Sequence, residues 1–314
     1  MFDNIVFTAN IVAPVFLIIA VGYFSKKAGI INEAFVDVTS KLVFKVSLPV
    51  FIFLEISNLD LDQVFDVYQI IFITAGTFIT YVIIWIGSIP FIKNPQDKSA
   101  FIQGAFRGNY AIVGLALIQN FLGNDALGKA TLILAFLLPV YNVLAVVVLV
   151  VPKHQGKINL RSILVEIVFN PLILSVIVAL PFSFYKISLP EMFVSTANYF
   201  AELALPLALI GIGGSMNIEN IKRASTLAFS SSIIKIIILP LVLTFASYFL
   251  GYRNDDLGIL FIVFACPTAI ASFVMAEAMG ANSKLAGNII MITTLGSVFT
   301  ISAGIIILKS FGLI

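Results

Sequence analysis

Cysteine and histidine are almost missing from this sequence. Each occurs once, as Cys266 and His154. A single cysteine excludes an intrachain disulfide framework and a multi-cysteine metal site. The lone histidine lies in a basic loop, PKHQGKINLR at 152–161, with no partner for metal binding or for a Ser–His–Asp set. Charge is scarce as well: 11% of the 314 residues are charged and 60% are hydrophobic. A soluble domain does not have that balance, and the class it indicates is a polytopic membrane protein in contact with a lipid bilayer. No glycine-rich phosphate loop is present, so ATP is not the drive. No basic patch suggests nucleic acid as a partner. No nucleophile, metal cluster or acid/base pair marks an enzyme, and no cofactor is expected beyond a coupling H+ or Na+. The N-terminal MFDNIVF lacks the basic region of a cleaved signal peptide, so the first apolar run reads as a retained span.

What is abundant is apolar sequence in runs of about 20 residues, the length that crosses a bilayer as a helix. Ten such runs are expected near 5–25, 34–55, 67–92, 98–122, 127–151, 162–182, 192–214, 224–250, 256–280 and 285–309. The loops between them are short. One set of alternate loops holds ten basic residues: Lys26, Lys27, Lys93, Lys98, Lys153, Lys157, Arg161, Lys222, Arg223 and Lys284. The other set holds four, Lys129, Lys186, Arg253 and Lys309. Basic loops stay in the cytoplasm, so both termini are expected outside the cytoplasmic membrane.

Two of the ten runs are interrupted. LGILFIVFACPTAIASFVMAEAMG (257–280) carries Pro267 in its middle, and KSAFIQGAFRGNYAIVGLALIQNFLG (98–123) carries Arg107, Gly108 and Asn109. Proline removes a donor and clashes with the carbonyl four residues back, which breaks the helix. A break in lipid is tolerated only where the freed groups face protein or a polar cavity. Interrupted spans in corresponding halves point to a transporter's binding site. Matches at a constant offset of 157 residues relate the halves: Pro14 to Pro171, Leu48-Pro49 to Leu205-Pro206, 59–64 to 216–221, Asn109-Tyr110 to Cys266-Pro267, and Leu122-Gly123 to Met279-Gly280. Five spans per half is an odd number, so the halves have opposite topology. The expected fold is an all-α polytopic membrane protein with ten transmembrane helices, built as two inverted five-helix repeats whose broken helices four and nine cross. Residues 1–151 form the first repeat, 152–161 a cytoplasmic linker and 162–314 the second repeat.

Arg107 falls near the midplane, where a charge is costly unless it has a function or a partner. Its plainer reading is a partner for an internal carboxylate or a broken helix end. Asn109, Tyr110, Pro267 and Thr268 flank the breaks, either as repair of freed backbone groups or as ligands of a polar substrate. Asn142 in span five is a further candidate for lining the site. Cys266 reads as a small buried residue rather than a reactive thiol. Glu277 has two open readings, a snorkelling or paired carboxylate and a carrier of the coupling proton. Lys235, in mid-span, pairs with Glu277 or helps bind an anion. Lys45 and Glu202 are repeat equivalents of opposite charge and are expected to form a bridge. Helix starts at the two breaks expose N–H groups and positive dipole ends, a place that attracts a carboxylate.

CPTAIASFVMAEAMGANSKLAGNIIMITTL (266–295), RGNYAIVGLAL (107–117), LPVYNVLAV (138–146) and VFKVSLPVFIF (43–53) resemble the ninth and tenth, fourth, fifth and second spans of the auxin efflux carrier family. That family belongs to the wider group of bile-acid, arsenite and auxin transporters. Its microbial members include malonate and malate carriers, and its plant members export auxin. The resemblance implies a homodimer scaffold from spans 1, 2, 6 and 7, and a moving transport domain from spans 3–5 and 8–10. On that basis Lys45 and Glu202, in scaffold spans, are structural. Two departures from the plant pattern argue against auxin as cargo: no long loop separates the halves, and Gly108 precedes Asn109 where plant proteins carry proline. The expected function is secondary transport of a small organic anion, a mono- or dicarboxylate, by alternating access. The alternatives are a sodium-coupled symporter of the bile-acid type and a membrane ligand sensor that moves nothing.

Overall fold

A computed structural model describes residues 2–59, 66–150, 169, 171–216 and 225–314. The linker at 152–161 and the matched segments 60–64 and 217–221 lie outside the described residues. Among the described residues every regular element is helical. In hydrocarbon no water replaces a lost backbone bond, so long apolar runs close their hydrogen bonds internally.

The elements are α1 Phe2–Lys27, α2 Glu33–Leu42, α3 Leu48–Ser57, α4 Val67–Ser88, α5 Pro95–Phe106, α6 Leu115–Val150 and α7 Pro171–Phe184. They continue with α8 Glu191–Glu202, α9 Ala204–Ser215, α10 Thr226–Ile233, α11 Leu239–Phe249, α12 Asn254–Ala265, α13 Ala271–Ala278 and α14 Ser283–Ser310. Among the described residues three single π turns, Val43–Ser47, Tyr110–Gly114 and Ile234–Ile238, interrupt the α-helical runs. Among the described residues six helical stretches are long and apolar enough to cross a membrane: Val6–Lys27, Val67–Ser88, Ala126–Leu149, Glu191–Ser215, Thr226–Phe249 and Ser283–Ser310.

Helix starts follow local chemistry. Asn32, Asp66, Ser225 and Asn282 each accept a bond from the N–H three residues on. Such caps satisfy donors that the helix itself leaves open. Asn94 caps α5 ahead of Pro95, whose missing N–H costs nothing at a first helical position. The long element α6 turns back at Gly123, where φ is 80° and ψ −170°. That conformation is available to glycine alone.

α1 packs along α9 in a close approach that glycine permits. A Cβ on Gly22 would meet the backbone of Ile210, and one on Gly213 the backbone of Ile19. Small residues at such seams let helix backbones touch. α3 packs on α7 and α8, and α2 on α9. Elsewhere α4 packs on α5, α11 on α12, and α10, α13 and α5 on α14. The crossing lies within the second group, where α5, α12 and α13 end or begin.

The break positions correct one expectation. The half-helices α5 and α12 each hold 12 residues and end at Phe106 and Ala265. Those ends are two residues out of the 157-residue register. Arg107, Gly108 and Asn109 therefore stand where Cys266, Pro267 and Thr268 stand, counted from the helix ends. Asn109-Tyr110 is not the counterpart of Cys266-Pro267. A constant offset assumes breaks of equal length, but helix resumes at Tyr110 in one and at Ala271 in the other. The register returns at the following glycines, since Gly123 and Gly280 both have positive φ, 80° and 69°.

Candidate functional site

The two breaks meet. Asn109 N–H donates to the Pro267 carbonyl at 2.7 Å, and Ala269 N–H donates to the Arg107 carbonyl at 3.2 Å. Gly108 and Thr268 thus form one antiparallel bridge in an otherwise helical structure. Each break uses the other to satisfy backbone groups that its own helix has released, as buried polar groups require.

Thr268 and Pro267 take part in this joint and are not among the residues that line the cavity beside it. Thr268 is fully buried; its Oγ1 donates to the Gly104 carbonyl at 2.6 Å and its N–H donates to Thr293 Oγ1 at 3.1 Å. The Tyr110 hydroxyl is equally committed, donating to the Ala130 carbonyl at 2.9 Å, although its ring reaches the cavity wall. The partners of these groups, Gly104, Ala130 and Thr293, are distant in sequence.

A cavity of about 660 Å³ opens beside the joint. Its floor includes Arg107, Asn109, Tyr110, Ala269, Ile270 and Asn288. Its far wall comes from α2, α9 and the π turn Val43–Ser47, with Val36, Ser40, Phe44, Ala208 and Ile212. Its mouth carries Glu33, Asp37 and Lys284. The two mouth carboxylates are already paired, Glu33 with Lys26 at 2.6 Å and Asp37 with Lys41 at 3.7 Å. Most of the remaining wall is aliphatic or aromatic, which suits a site that desolvates its ligand.

Arg107 is 5% exposed. Its guanidinium donates to Asn142 Oδ1 at 2.8 Å and to Met275 Sδ at 2.7 Å. Among the described residues no carboxylate lies within ion-pair reach of it. A buried full charge held only by neutral groups lacks a counter-ion. Asn142 orients Arg107 and does not itself line the cavity. Asn109 precedes the helical turn Tyr110–Gly114 at its N-cap position yet makes no side-chain cap bond. An asparagine there ordinarily turns its oxygen onto the next turn. This one is 7% exposed and faces the cavity.

Asn288 is the residue that sequence reasoning missed. It is 4% exposed, lines the cavity from α14, and its amide makes no hydrogen bond within the described residues. The signal was present: an amide inside the apolar run NIIMITTL is costly without a partner or a ligand.

Lys235 does not line this cavity. It is 1% exposed and donates to the Phe264 carbonyl at 2.9 Å. The side chain of Glu277 lies outside the described residues, so the structure places neither of the roles open to it. Lys45 and Glu202 are both exposed, and no ion pair joins them. The expected bridge is absent because both side chains point off the surface. Cys266 is fully buried, as expected.

Comparison with known proteins extends this picture. A family model described as membrane transport protein matches residues 7–305. An uncharacterized transporter of Methanocaldococcus jannaschii is 24% identical over 301 residues, covering 93% of this chain and 96% of that one. The uncharacterized transporter YfdV of Escherichia coli K12 is 20% identical over 296 residues, 91% of this chain and 93% of its own. A Rhizobium meliloti protein named "Putative malonate transporter" is 25% identical over 312 residues, 96% of each chain.

Proposed function

The chain belongs to the membrane transport protein family, that of the auxin efflux carriers, and from that premise we propose that it carries a small organic anion, a mono- or dicarboxylate, by alternating access. One observation carries the reading. Arg107, a buried cation without a carboxylate partner among the described residues, shares a cavity with two asparagines that leave their amides unbonded. A carboxylate would supply the missing counter-charge and accept from both amides. A cationic cargo would meet Arg107 unfavourably. The Rhizobium meliloti relative named for malonate supports the same class. The aliphatic and aromatic walls leave room for a cargo with an apolar portion.

In this reading the crossing helices belong to a moving transport domain, and α1, α2, α3, α7, α8 and α9 to a dimerised scaffold. The cavity lies between those two groups, so sliding one past the other would close its mouth and open the opposite side. Two inverted five-span repeats would give the two end states similar energies. The excess of basic residues in the loops on the Lys284 side supports a cytoplasmic position for the mouth.

The test is binding and flux with purified protein. Malonate, malate and longer monocarboxylates are screened by calorimetry, and uptake of the tightest into proteoliposomes follows. Arg107→Gln is expected to weaken binding at least tenfold, about 1.4 kcal/mol, while the variant still unfolds cooperatively. Unchanged affinity in folded Arg107→Gln would move the anion site elsewhere. Binding without flux would favour a sensor over a carrier.

A further inference from the structure

The crossing holds a second buried cation that the anion cavity does not use. Lys235 owes its place to the sequence that follows it. Pro240 has no N–H, and its ring presses on the carbonyl four residues earlier, that of Ile236. The helix answers with one π turn, Ile234–Ile238. Such turns redirect side chains and recur at functional positions. Here the turn sends the Lys235 ammonium to the joint, where Nζ donates to the Phe264 carbonyl at 2.9 Å.

Phe264 stands next to the end of α12. The N–H that would have reached its carbonyl in a continuous helix is that of Thr268, which donates to Thr293 Oγ1 instead. The carbonyl is thus one of those that a helix C-terminus leaves open, at the negative end of the dipole. From the other side the ammonium lies against the unwound segment of span four: a Cβ on Gly108 would stand 3.4 Å from Nζ. Among the described residues no carboxylate is within ion-pair reach of Lys235.

Open carbonyls at the C-terminal ends of half-helices are where secondary transporters hold coupling Na+. We propose that Lys235 is the resident cation of this crossing, standing where a coupling Na+ would bind, so that the protein needs no sodium to assemble the joint or to bind its anion. Sodium-independent anion binding rests on the carboxylate reading above; the place of Lys235 in the joint does not. The lysine is tethered, so it moves with the crossing and is not released.

The experiment compares thermal unfolding of the ligand-free protein in sodium chloride and in choline chloride, for the wild type and for Lys235→Ala, Lys235→Gln and Lys235→Arg. The wild type and Lys235→Arg are expected to melt within about 1 °C of themselves in the two salts. Lys235→Ala and Lys235→Gln are expected to melt lower in choline and to recover saturably with added sodium, as a ligand that binds only the folded state produces. Saturable sodium stabilisation of the wild type overturns the proposal. So does an equal response of the neutral variants in both salts, or their failure to fold in both while Lys235→Arg folds, since a free cation then does not replace the ammonium. Carboxylate binding by the wild type is measured in the same two salts and is expected to agree within about twofold. If no carboxylate binds at all, the anion reading fails while the melting comparison still decides the role of Lys235.

Discussion

Two buried polar residues of the crossing, Thr268 and Asn288, differ in what surrounds them, and the difference separates stability from binding. Thr268 is bonded through both its hydroxyl and its N–H, to Gly104 and Thr293. Thr268→Val removes the hydroxyl and strands the Gly104 carbonyl at the end of α5. A buried acceptor left open costs ~1–3 kcal/mol. Thermal or denaturant unfolding should register that loss, with carboxylate affinity in the folded protein little changed. Asn288 has the opposite profile, because its amide bonds nothing among the described residues. Asn288→Ala should leave the melting temperature near the wild-type value and lower carboxylate affinity several-fold, read by calorimetry. An affinity loss in Thr268→Val with intact binding by Asn288→Ala would reverse the assignment of the two residues.

At the scale of elements, the breaks and turns are set by a few residues with special backbones. Gly123 turns α6 back on itself at φ 80° and ψ −170°, and a Cβ there would meet nothing within 4 Å. Gly123→Ala therefore tests backbone strain without a clash. The expected destabilisation is ~1–3 kcal/mol, measured by unfolding. A neutral result would mean that the turn can relax into a conformation open to other residues. Pro240 makes a second case. Pro240→Ala restores an N–H and removes the cause of the π turn before it. A regular helix would rotate Lys235 away from Phe264. The variant should then acquire the sodium-dependent melting expected of Lys235→Ala, although its lysine is intact. Sodium-insensitive melting of Pro240→Ala would show that the π turn does not depend on the proline.

For the whole molecule, two groups of helices flank the cavity beside the joint, and the loop charges suggest which way its mouth faces. Lys284, at the mouth, and Lys186, between α7 and α8, are both exposed. Cysteines introduced at these positions should react with an impermeant thiol reagent from opposite sides of the membrane. Lys284→Cys should label only from the cytoplasm and Lys186→Cys only from outside. The native Cys266 is fully buried and should not contribute. Labelling of Lys284→Cys in sealed cells would invert the topology and make the described state outward-facing. The exposed Lys45 and Glu202 are available to a second copy of the chain, which cross-linking through either position would detect.

Sequence alone determined the class of molecule, the helical content and the places where two spans break. These are local matters. A 20-residue apolar run must be a helix in lipid, and a proline or an arginine–glycine pair within it must interrupt that helix, whatever surrounds it. Arg107 and Asn109 were legible for the same reason, as polar groups where polarity is costly. Only the tertiary structure decided which groups are already satisfied. It bound Thr268 and Pro267 into the joint and the Tyr110 hydroxyl to Ala130, left Asn109 and Asn288 open to the cavity, turned Lys235 onto Phe264 and kept Lys45 apart from Glu202. It also moved the two breaks two residues out of the expected register. A hydrogen bond spans about 3 Å between residues that can stand far apart in the chain, as Gly104 and Thr268 do, and composition and spacing carry no record of such a partner.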